Sequence, residues 1–328
     1  SGRKRAESRR VCSDYLAGQL DFLFIAPERL GVPGFPELLA RRKPVLVAID
    51  EAHCISQWGH DFRPDYRMLG DRLPLLRPAP IIALTATATP LVQRDIVKQL
   101  GIPQGELHIH GFRRDNIFIE LVEMRPGARG GAAAELLSKP QHRPAIVYAP
   151  TRKKAEELAR HLAEHIPAAV YHAGIPSAKR DRVQASFLAG DIEVIVATVA
   201  FGMGIDKADV RTVVHTALPA SIEGYYQEIG RAGRDGLPSR AVLYHSYADR
   251  RTHEWFLDRD YPDESVLLEA QRALRSQPIA RAALETELRM APETLEKALE
   301  KLWIHGGALI DSDDRVTRGH DAWQTAYR

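Results

Sequence analysis

Short apolar runs recur along the first two thirds of the chain and alternate with amphipathic stretches. Their length and continuity are typical of strands buried on both faces of a parallel sheet. They lie at 22–27, 45–50, 81–87, 145–150, 168–174, 194–199 and 212–217. The stretch after the fourth run has apolar residues at the i, i+3, i+4, i+7 spacing of a helix with one buried face. These are Ala155, Leu158, Ala159, Leu162, Ala163 and Ile166. Strands alternating with helices predict an α/β fold with parallel sheets.

A Gly-, Pro- and Arg-rich segment at 124–131 separates the first three runs from the last four. Two series of strands predict two sheets, joined by a linker within 111–131. We therefore expect a first domain over 1–111 and a second over 112–250.

The pattern changes after about residue 250, where helical periodicity replaces the strand-like runs. Two predicted helices at 278–290 and 292–307 precede short strand-like pieces. The second helix has one apolar face, made of Leu295, Ala298, Leu299, Leu302 and Trp303. Helix, turn, helix and hairpin favour a small winged-helix-like α+β domain over 251–328. A helical cap packed on the second sheet is the alternative.

Composition limits the kinds of site that the chain can form. The 328 residues have a formal net charge of +2, so any nucleic-acid site must arise from local clustering of basic residues. Cys12 and Cys54 are the only cysteines, which excludes a disulfide framework and a four-thiolate zinc site. No run approaches the ~18 apolar residues of a membrane span. We expect a cytoplasmic protein, associated with the nucleoid if the host is bacterial.

The segment DEAHCISQWGHDFRPDY, residues 50–66, begins with two carboxylates at the end of an apolar run. Ligands bind at the carboxyl ends of strands in open α/β sheets. Asp50 could hold Mg²⁺ through water, and Glu51 could orient or deprotonate a water that attacks a phosphate. By itself, an acidic residue before a helix is more often an N-cap.

Two further segments decide between these interpretations. DEAH at 50–53, LTATAT at 84–89 and YYQEIGRAGRDG at 225–236 occur in the order of helicase motifs II, III and VI. Together with FIAPERL, FRRDNI and ATVAFGMGIDK, they make the chain resemble the RecQ helicases of superfamily 2 from about residue 1 to 250. The resemblance implies two RecA-like domains, the cofactors ATP and Mg²⁺, and single-stranded DNA as a partner.

The resemblance also assigns roles to residues of the first domain. The segment after DEAH corresponds to an aromatic-rich loop that senses single-stranded DNA and couples it to ATP hydrolysis. Trp58, Phe62, Arg63 and Tyr66 lie on it, and a base stacked on such a side chain contributes about 1–3 kcal/mol. His53 and Gln57 are the expected hinges of that coupling.

In the second domain, the resemblance makes Arg234 the arginine finger directed at the γ-phosphate, supported by Arg231. If this stretch were helical, the two arginines would share a face. Other positions resemble nucleotide-contacting residues (Gly204, Asp206) and DNA-contacting residues (Thr198, His172). The family often has Asn at the position of Asp206.

The sequence departs from the family pattern in three places. No G-x-x-x-x-G-K-[ST] phosphate-binding loop occurs in it, so we expect the first domain to be incomplete and the chain alone not to hydrolyse ATP. No cysteine follows Cys54, which excludes the four-cysteine zinc subdomain of many relatives. The predicted hairpin at 310–316 is acidic and lacks an aromatic tip, which argues against a strand-separating pin.

The resulting hypothesis is part of a 3′→5′ ATP-dependent DNA helicase of DNA repair and recombination. It would act as a monomer on single-stranded DNA and on junctions between single- and double-stranded DNA. Two alternatives stay open. One is a DEAD-box-like RNA-remodelling helicase, and the other is a non-catalytic nucleic-acid-binding remnant.

Overall fold

Two compact units make up the structure, a computed structural model. It describes residues 5–56, 62–111, 113–199, 201–202, 205–249, 254, 261–311 and 315–327. Unit 1 comprises Ser1–Ile109 together with Phe256–Arg328, and unit 2 comprises His110–Trp255. The C-terminal segment therefore belongs to the same compact unit as the N-terminal one. The division into three domains at 1–111, 112–250 and 251–328 stays a prediction.

The N-terminal part of unit 1 is a small parallel sheet packed against helices. Helices α1 to α5 are Arg5–Leu16, Phe35–Ala40, Pro64–Arg67, Leu69–Arg72 and Pro90–Gln99. Strands β1 and β2 are Val47–Ile49 and Ile81–Ala83, and they pair in parallel with Ala48 opposite Ile82. Ile49 packs in one core with Leu69, Val92 and Ile96. This core fixes the end of β1, where the two carboxylates lie.

The strand predicted at 22–27 is wrong, because the structure has no strand there. Leu23 and Ile25 pack against the core, whereas Phe22 and Phe24 are 81% and 94% exposed. No described strand pairs with this segment. The continuous apolar run predicted burial on both faces, and without a hydrogen-bonded neighbour among the described residues the segment forms no strand.

Unit 2 contains a six-stranded sheet in which every pairing is parallel. Strands β3 to β8 are Ile117–Glu123, Ala145–Tyr148, Ala168–Tyr171, Val194–Ala197, Thr212–His215 and Ser239–His245. Their order across the sheet is β3-β8-β7-β4-β6-β5. Every residue of β4, β6 and β7 is buried. The prediction of a parallel α/β sheet from continuous apolar runs is confirmed here.

The sequence analysis did not predict β3 or β8. Strand β3 lies at the edge of the sheet, pairs only with β8 among the described strands, and leaves Phe118 and Leu121 exposed. Strand β8 is mostly buried but begins with Ser239 and Arg240. Strand β3 therefore lacks the continuous burial of the central strands, whereas the run at 241–244 of β8 is apolar and was missed.

Helices flank the sheet of unit 2. Helices α6 to α9 are Arg129–Ser138, Arg152–Ala163, Ser177–Ala189 and Ile222–Ile229. The Thr151 hydroxyl caps α7 by accepting a hydrogen bond from the Lys154 backbone N–H at 3.2 Å. The predicted apolar stripe of α7 is buried at Ala155, Leu158, Ala159 and Leu162, whereas Ala163 is exposed.

The C-terminal part of unit 1 has a core of its own, made by helices and a small antiparallel sheet. Helices α10 to α13 are Glu264–Ala273, Arg281–Leu288, Pro292–Ile304 and Trp323–Tyr327. Strands β9 to β11 are Ile279–Ala280, Ala308–Ile310 and Arg315–Arg318, in the order β10-β11-β9. The predicted face of α12 is buried at Leu295, Ala298, Leu299 and Leu302. A winged helix stays a prediction.

Candidate functional site

The carboxyl end of β1 carries the predicted acid pair on a tight turn. Asp50 is exposed, and its Oδ1 accepts a hydrogen bond from the Glu51 backbone N–H at 2.9 Å. Glu51 has φ 50° and ψ 42°, a left-handed conformation that costs a non-glycine residue about 1–3 kcal/mol. The Ala52 N–H donates to the Leu84 carbonyl at 2.9 Å, which binds the turn to the end of β2. The core holds a strained turn in place, as is common at functional sites.

His53 connects the acid pair to the segment after β2. Its side chain is 1% exposed, and its Nδ1 lies 2.9 Å from Thr85 Oγ1 and 3.4 Å from Glu51 Oε2. Thr85 Oγ1 also accepts a hydrogen bond from the Thr87 backbone N–H at 3.2 Å. The ring therefore bridges DEAH and LTATAT, and a shift in either segment changes the surroundings of the Glu51 carboxylate.

The donors at this corner fit Mg²⁺ held largely by water. Asp50 presents one exposed carboxylate at a strand end, and Mg²⁺ keeps most of its waters when it binds through one or two carboxylates. The described residues contain no group of three or more His, Cys, Asp or Glu side chains placed to hold a metal. Asp50 as the residue that would hold the ion stays a prediction.

Part of the predicted aromatic-rich loop is described. Trp58 and Gln57 lie outside the described residues, whereas Phe62, Arg63 and Tyr66 lie within them. The Arg63 backbone N–H donates to the Cys54 carbonyl at 2.9 Å, directly beside His53. Tyr66 packs against the core of unit 1, and this burial raises the pKa of its phenol. A backbone hydrogen bond therefore joins the loop to Cys54, the residue next to His53.

Arg67 is a further anchor of the same corner that the sequence analysis missed. Its Nη1 lies 3.2 Å from Asp95 Oδ2 and 3.5 Å from the Ile55 carbonyl oxygen. The Gln99 amide donates to the other oxygen of Asp95 at 3.0 Å. These contacts join the end of the DEAH segment to α5. No local pattern indicates them, because Asp95 lies 28 residues after Arg67.

In unit 2, the two predicted arginines lie after a helix and not within one. Helix α9 ends at Ile229, so the condition under which Arg231 and Arg234 would share a helix face is not met. Arg231 is 7% exposed, and its Nη1 donates to the Gly202 carbonyl. A Cβ on Gly202 would lie 2.8 Å from Arg231 Nη2, so a larger residue here would displace the guanidinium. The buried Arg231 side chain thus links the motif VI segment to residues 201–202.

Arg234 is more accessible and is paired with another predicted nucleotide residue. Its Nη1 lies 2.7 Å from Asp206 Oδ1 and 3.0 Å from the Ile205 carbonyl oxygen. The Asp206 side chain is 85% exposed and that of Arg234 is 36% exposed. Gly204 lies outside the described residues. The structure therefore brings Arg234 and Asp206 together on the surface of unit 2.

Two residues before β3, also missed as site residues, hold the turn that carries these arginines. The Gly233 carbonyl accepts hydrogen bonds from Arg114 Nη2 at 2.7 Å and from Asn116 Nδ2 at 2.8 Å. Gly233 has φ 56°, and a Cβ there would lie 2.4 Å from Asn116 Nδ2. Both residues belong to FRRDNI, so the family resemblance was the available signal.

A buried polar group behind Arg231 was not predicted either. His215 Nε2 lies 2.7 Å from Glu228 Oε2, and the His215 ring stacks on Tyr148 at a centroid distance of 5.0 Å. The Tyr148 hydroxyl donates to the Phe201 carbonyl at 2.9 Å, and burial raises the pKa of this phenol. These contacts fix residues 201–202, to which Arg231 is bonded.

The two predicted DNA-contacting residues of unit 2 differ in accessibility. Thr198 follows β6 and is half-buried. His172 is buried, with its Nε2 3.0 Å from Glu156 Oε1. Its contact with DNA stays a prediction, as does that of Thr198.

Two family models match the chain. Residues 3–95 match the DEAD/DEAH box helicase model, and residues 131–236 match the helicase conserved C-terminal domain model. Within the described ranges, no helix combines the length and apolarity needed to cross a bilayer.

The chain is also similar to curated helicases. It is 44% identical over 244 residues to the ATP-dependent DNA helicase RecQ of Haemophilus influenzae, which covers 74% of this chain and 39% of that protein. It is 43% identical over 249 residues to RecQ of Bacillus subtilis, covering 75% and 42%. With the RecQ-like DNA helicase BLM of Xenopus laevis it shares 42% over 240 residues, covering 70% and 17%. The matched part spans about two fifths of the bacterial relatives.

Among solved structures, the Mycobacterium smegmatis helicase Lhr bound to ssDNA and AMP-PNP gives a TM-score of 0.55 at 18% identity, covering 99% of this chain and 48% of that one. The DUF1998 helicase MrfA bound to DNA gives 0.58 at 17% identity, covering 100% and 50%. At such identities these likenesses concern the fold. With the two family models they confirm the predicted pair of RecA-like domains.

Proposed function

Because the chain belongs to the RecQ family of helicases, we propose that it is part of a protein that uses ATP to unwind DNA. The proposed translocation is 3′→5′ on single-stranded DNA and at junctions with duplex, in repair and recombination. The observation that carries the proposal is the contact chain at the DEAH corner. It runs from the aromatic-rich loop through Cys54 and His53 to Glu51.

In this proposal the acid pair acts on nucleotide. Mg²⁺ bound at Asp50 would neutralise phosphate charge, which is its usual contribution in phosphoryl transfer. Glu51 accepts a proton from, or orients, the attacking water. The strained turn sets the direction of its carboxylate, and His53 holds that carboxylate on the side of Thr85.

Arg234 is proposed as the residue that stabilises charge developing on the γ-phosphate. Its partner Asp206 is 85% exposed, and surface ion pairs contribute only about 0–1 kcal/mol. The guanidinium can therefore exchange a carboxylate for a phosphate at small cost. Arg231 is proposed as a positioning residue, because its guanidinium is buried and bonded to Gly202.

Bound DNA is proposed to influence the acid pair indirectly, through the aromatic-rich loop. Bases stack on Trp58 and Phe62, Arg63 faces the backbone, and Thr198 and His172 hold the strand on unit 2. A displacement of Arg63 pulls on the Cys54 carbonyl, one residue from the buried ring of His53. This path gives a physical reason for DNA-stimulated hydrolysis.

The chain by itself is proposed not to hydrolyse ATP. The printed sequence contains no G-x-x-x-x-G-K-[ST] loop, whose backbone amides and lysine cradle the β- and γ-phosphates in enzymes of this kind. Magnesium-dependent ATP turnover should therefore need a phosphate-binding loop that this sequence does not contain.

The test uses the longest protein encoded by the reading frame that contains this chain. Its Mg·ATP hydrolysis is measured with single-stranded DNA and with RNA of the same sequence. We expect DNA to stimulate turnover more strongly than RNA. Equal or stronger stimulation by RNA would favour the RNA-remodelling alternative, and no turnover with either would favour the non-catalytic one.

A further inference from the structure

A tryptophan of the C-terminal segment lies beside the aromatic-rich loop within unit 1. Trp303 is near the end of α12, and its ring centroid is 6.1 Å from that of Phe62, with the two planes at 49°. Both side chains are half-buried. The apolar face of α12 thus has its inner positions in the C-terminal core and Trp303 at its border, against a residue of the loop.

The two tilted rings form one side of a cavity of about 200 Å³. Its other lining residues come from α3, α4, the end of α5 and the residue after Trp303. They are Arg67, Met68, Gly70, Asp71, Gln99 and Ile304. A space of this size suits one planar ring system.

A close backbone approach shapes the floor of this cavity. A Cβ on Gly70 would lie 2.2 Å from the Gln99 carbonyl oxygen, so a larger residue would force α4 away from the end of α5. Gln99 is held there by the bond between its amide and Asp95. The close packing of α4 on the end of α5 therefore fixes this part of the cavity lining.

The charges around the cavity favour a neutral ligand over an anion. The Arg67 guanidinium is already paired with Asp95 at 3.2 Å, and Asp71 adds a further carboxylate to the lining. A phosphate would meet little unpaired positive charge here. A nucleobase is neutral, has a π-face for the two rings and polar edges for Asp71 and Gln99, and stacks without a strict requirement for sequence.

We propose that Trp303 and Phe62 together form a base-stacking site for single-stranded DNA, so that the C-terminal segment extends the DNA contact of the loop. This inference rests on the proposed function and adds a residue from outside the helicase motifs. It also predicts that the C-terminal segment influences how the loop engages DNA, since both rings contact the same base.

The first test is the affinity of this chain for a labelled oligothymidylate of about 16 nucleotides, the upper end of common site sizes, measured by fluorescence anisotropy. Trp303→Ala should raise the Kd about five- to tenfold, the loss of roughly one stacked base. Trp303→Phe, which keeps an aromatic face, should stay within about twofold of the parent. Glu296→Ala, at an exposed position of the same helix, is the matched control and should leave the Kd unchanged. Circular dichroism confirms that each variant is folded.

The second test distinguishes stacking from support of Phe62. An oligonucleotide carrying 5-iodouracil is irradiated with the parent chain, and adducts are mapped by mass spectrometry. An adduct on Trp303 supports the proposal. An unchanged Kd for Trp303→Ala overturns it, and so does a raised Kd without any Trp303 adduct, because Trp303 would then only position the loop. Failure of the parent chain to bind any single-stranded polynucleotide would instead contradict the proposed function itself.

Discussion

The sheets of the two units differ in how well they are covered. In unit 2 the central strands are buried on both faces, and Ile146 and Val213 have no exposed surface. In unit 1 the two-stranded sheet leaves Ile82 44% exposed and the preceding Val45 91% exposed. Burial of apolar surface is the dominant favourable term in folding. Unit 2 therefore holds its arginines on a buried core, whereas unit 1 holds its acid pair on a two-stranded sheet with exposed apolar residues.

The two units also differ in the contacts that hold their predicted site residues. Arg231 is fixed by buried partners on the well-packed sheet. Glu51 is held by a strained turn and by one histidine contact. The predicted site residues of the two units are therefore held by different means.

The largest expected effect concerns the accessible arginine of the rigid unit. Arg234→Ala in the complete protein should lower kcat for Mg·ATP hydrolysis about 10³–10⁵-fold, the range for removal of an arginine finger. Single-stranded DNA affinity should stay close to that of the parent. Arg160→Ala, on the exposed side of α7, is the control. Loss of DNA affinity with unchanged turnover would refute the assignment.

The next effect concerns a buried ion pair of unit 2. Arg129 contacts both Asp249 oxygens, at 2.8 and 2.9 Å, and also the Ser246 hydroxyl and the Thr216 carbonyl. Arg129→Ala leaves a buried carboxylate unpaired and should lower the free energy of unfolding of unit 2 by about 3–5 kcal/mol. Urea denaturation followed by hydrogen exchange in β8 measures this loss.

The control for that prediction is an exposed pair of the same unit. Lys154 and Glu157 lie 2.9 Å apart with side chains that are largely in water. Lys154→Ala should leave the urea midpoint unchanged. Equal destabilisation by both variants would mean that the buried network has no special role in the rigidity of unit 2.

A pair of isoleucines compares the two sheets directly. Ile146→Ala opens a cavity in the covered sheet and should cost about 2–5 kcal/mol of unfolding free energy, whereas Ile82→Ala should cost less because almost half of its surface is already exposed. Hydrogen exchange in β4 and in β1 separates the two responses. A larger cost for Ile82→Ala would show that another surface covers the sheet of unit 1.

The smallest effect tests the link at the acid pair. Thr85→Val removes the hydroxyl 2.9 Å from His53 Nδ1 and should lower stability by only about 0.5–1.5 kcal/mol. The DNA stimulation of ATP hydrolysis should nevertheless fall, with the rate in the absence of DNA preserved. Equal loss of both rates would indicate a purely structural role for Thr85.

The sequence predicted the parts of the fold that depend on local pattern. Continuous apolar runs identified β4, β6 and β7, and strand ends identified Asp50 and Glu51. Edge strand β3, with one exposed face, lacks such a run, and the run at 22–27 has no strand partner among the described residues.

The unpredicted parts of the site are contacts between distant residues. Arg114 meets Gly233 over 119 residues, and Arg67 meets Asp95 over 28. No periodicity reports such pairs, because tertiary packing alone brings them together. The family resemblance located Arg231 and Arg234. Only the structure showed that α9 ends before them, at Ile229.

The proposed coupling of DNA to nucleotide is tested by measuring Mg·ATP turnover and single-stranded DNA affinity for the complete protein and its Glu51→Gln variant. We expect the parent to turn over nucleotide faster with DNA, and the variant to bind DNA but lose turnover. Wild-type turnover by the variant would overturn the role proposed for Glu51, and a parent that binds DNA yet hydrolyses no ATP would overturn the proposed function.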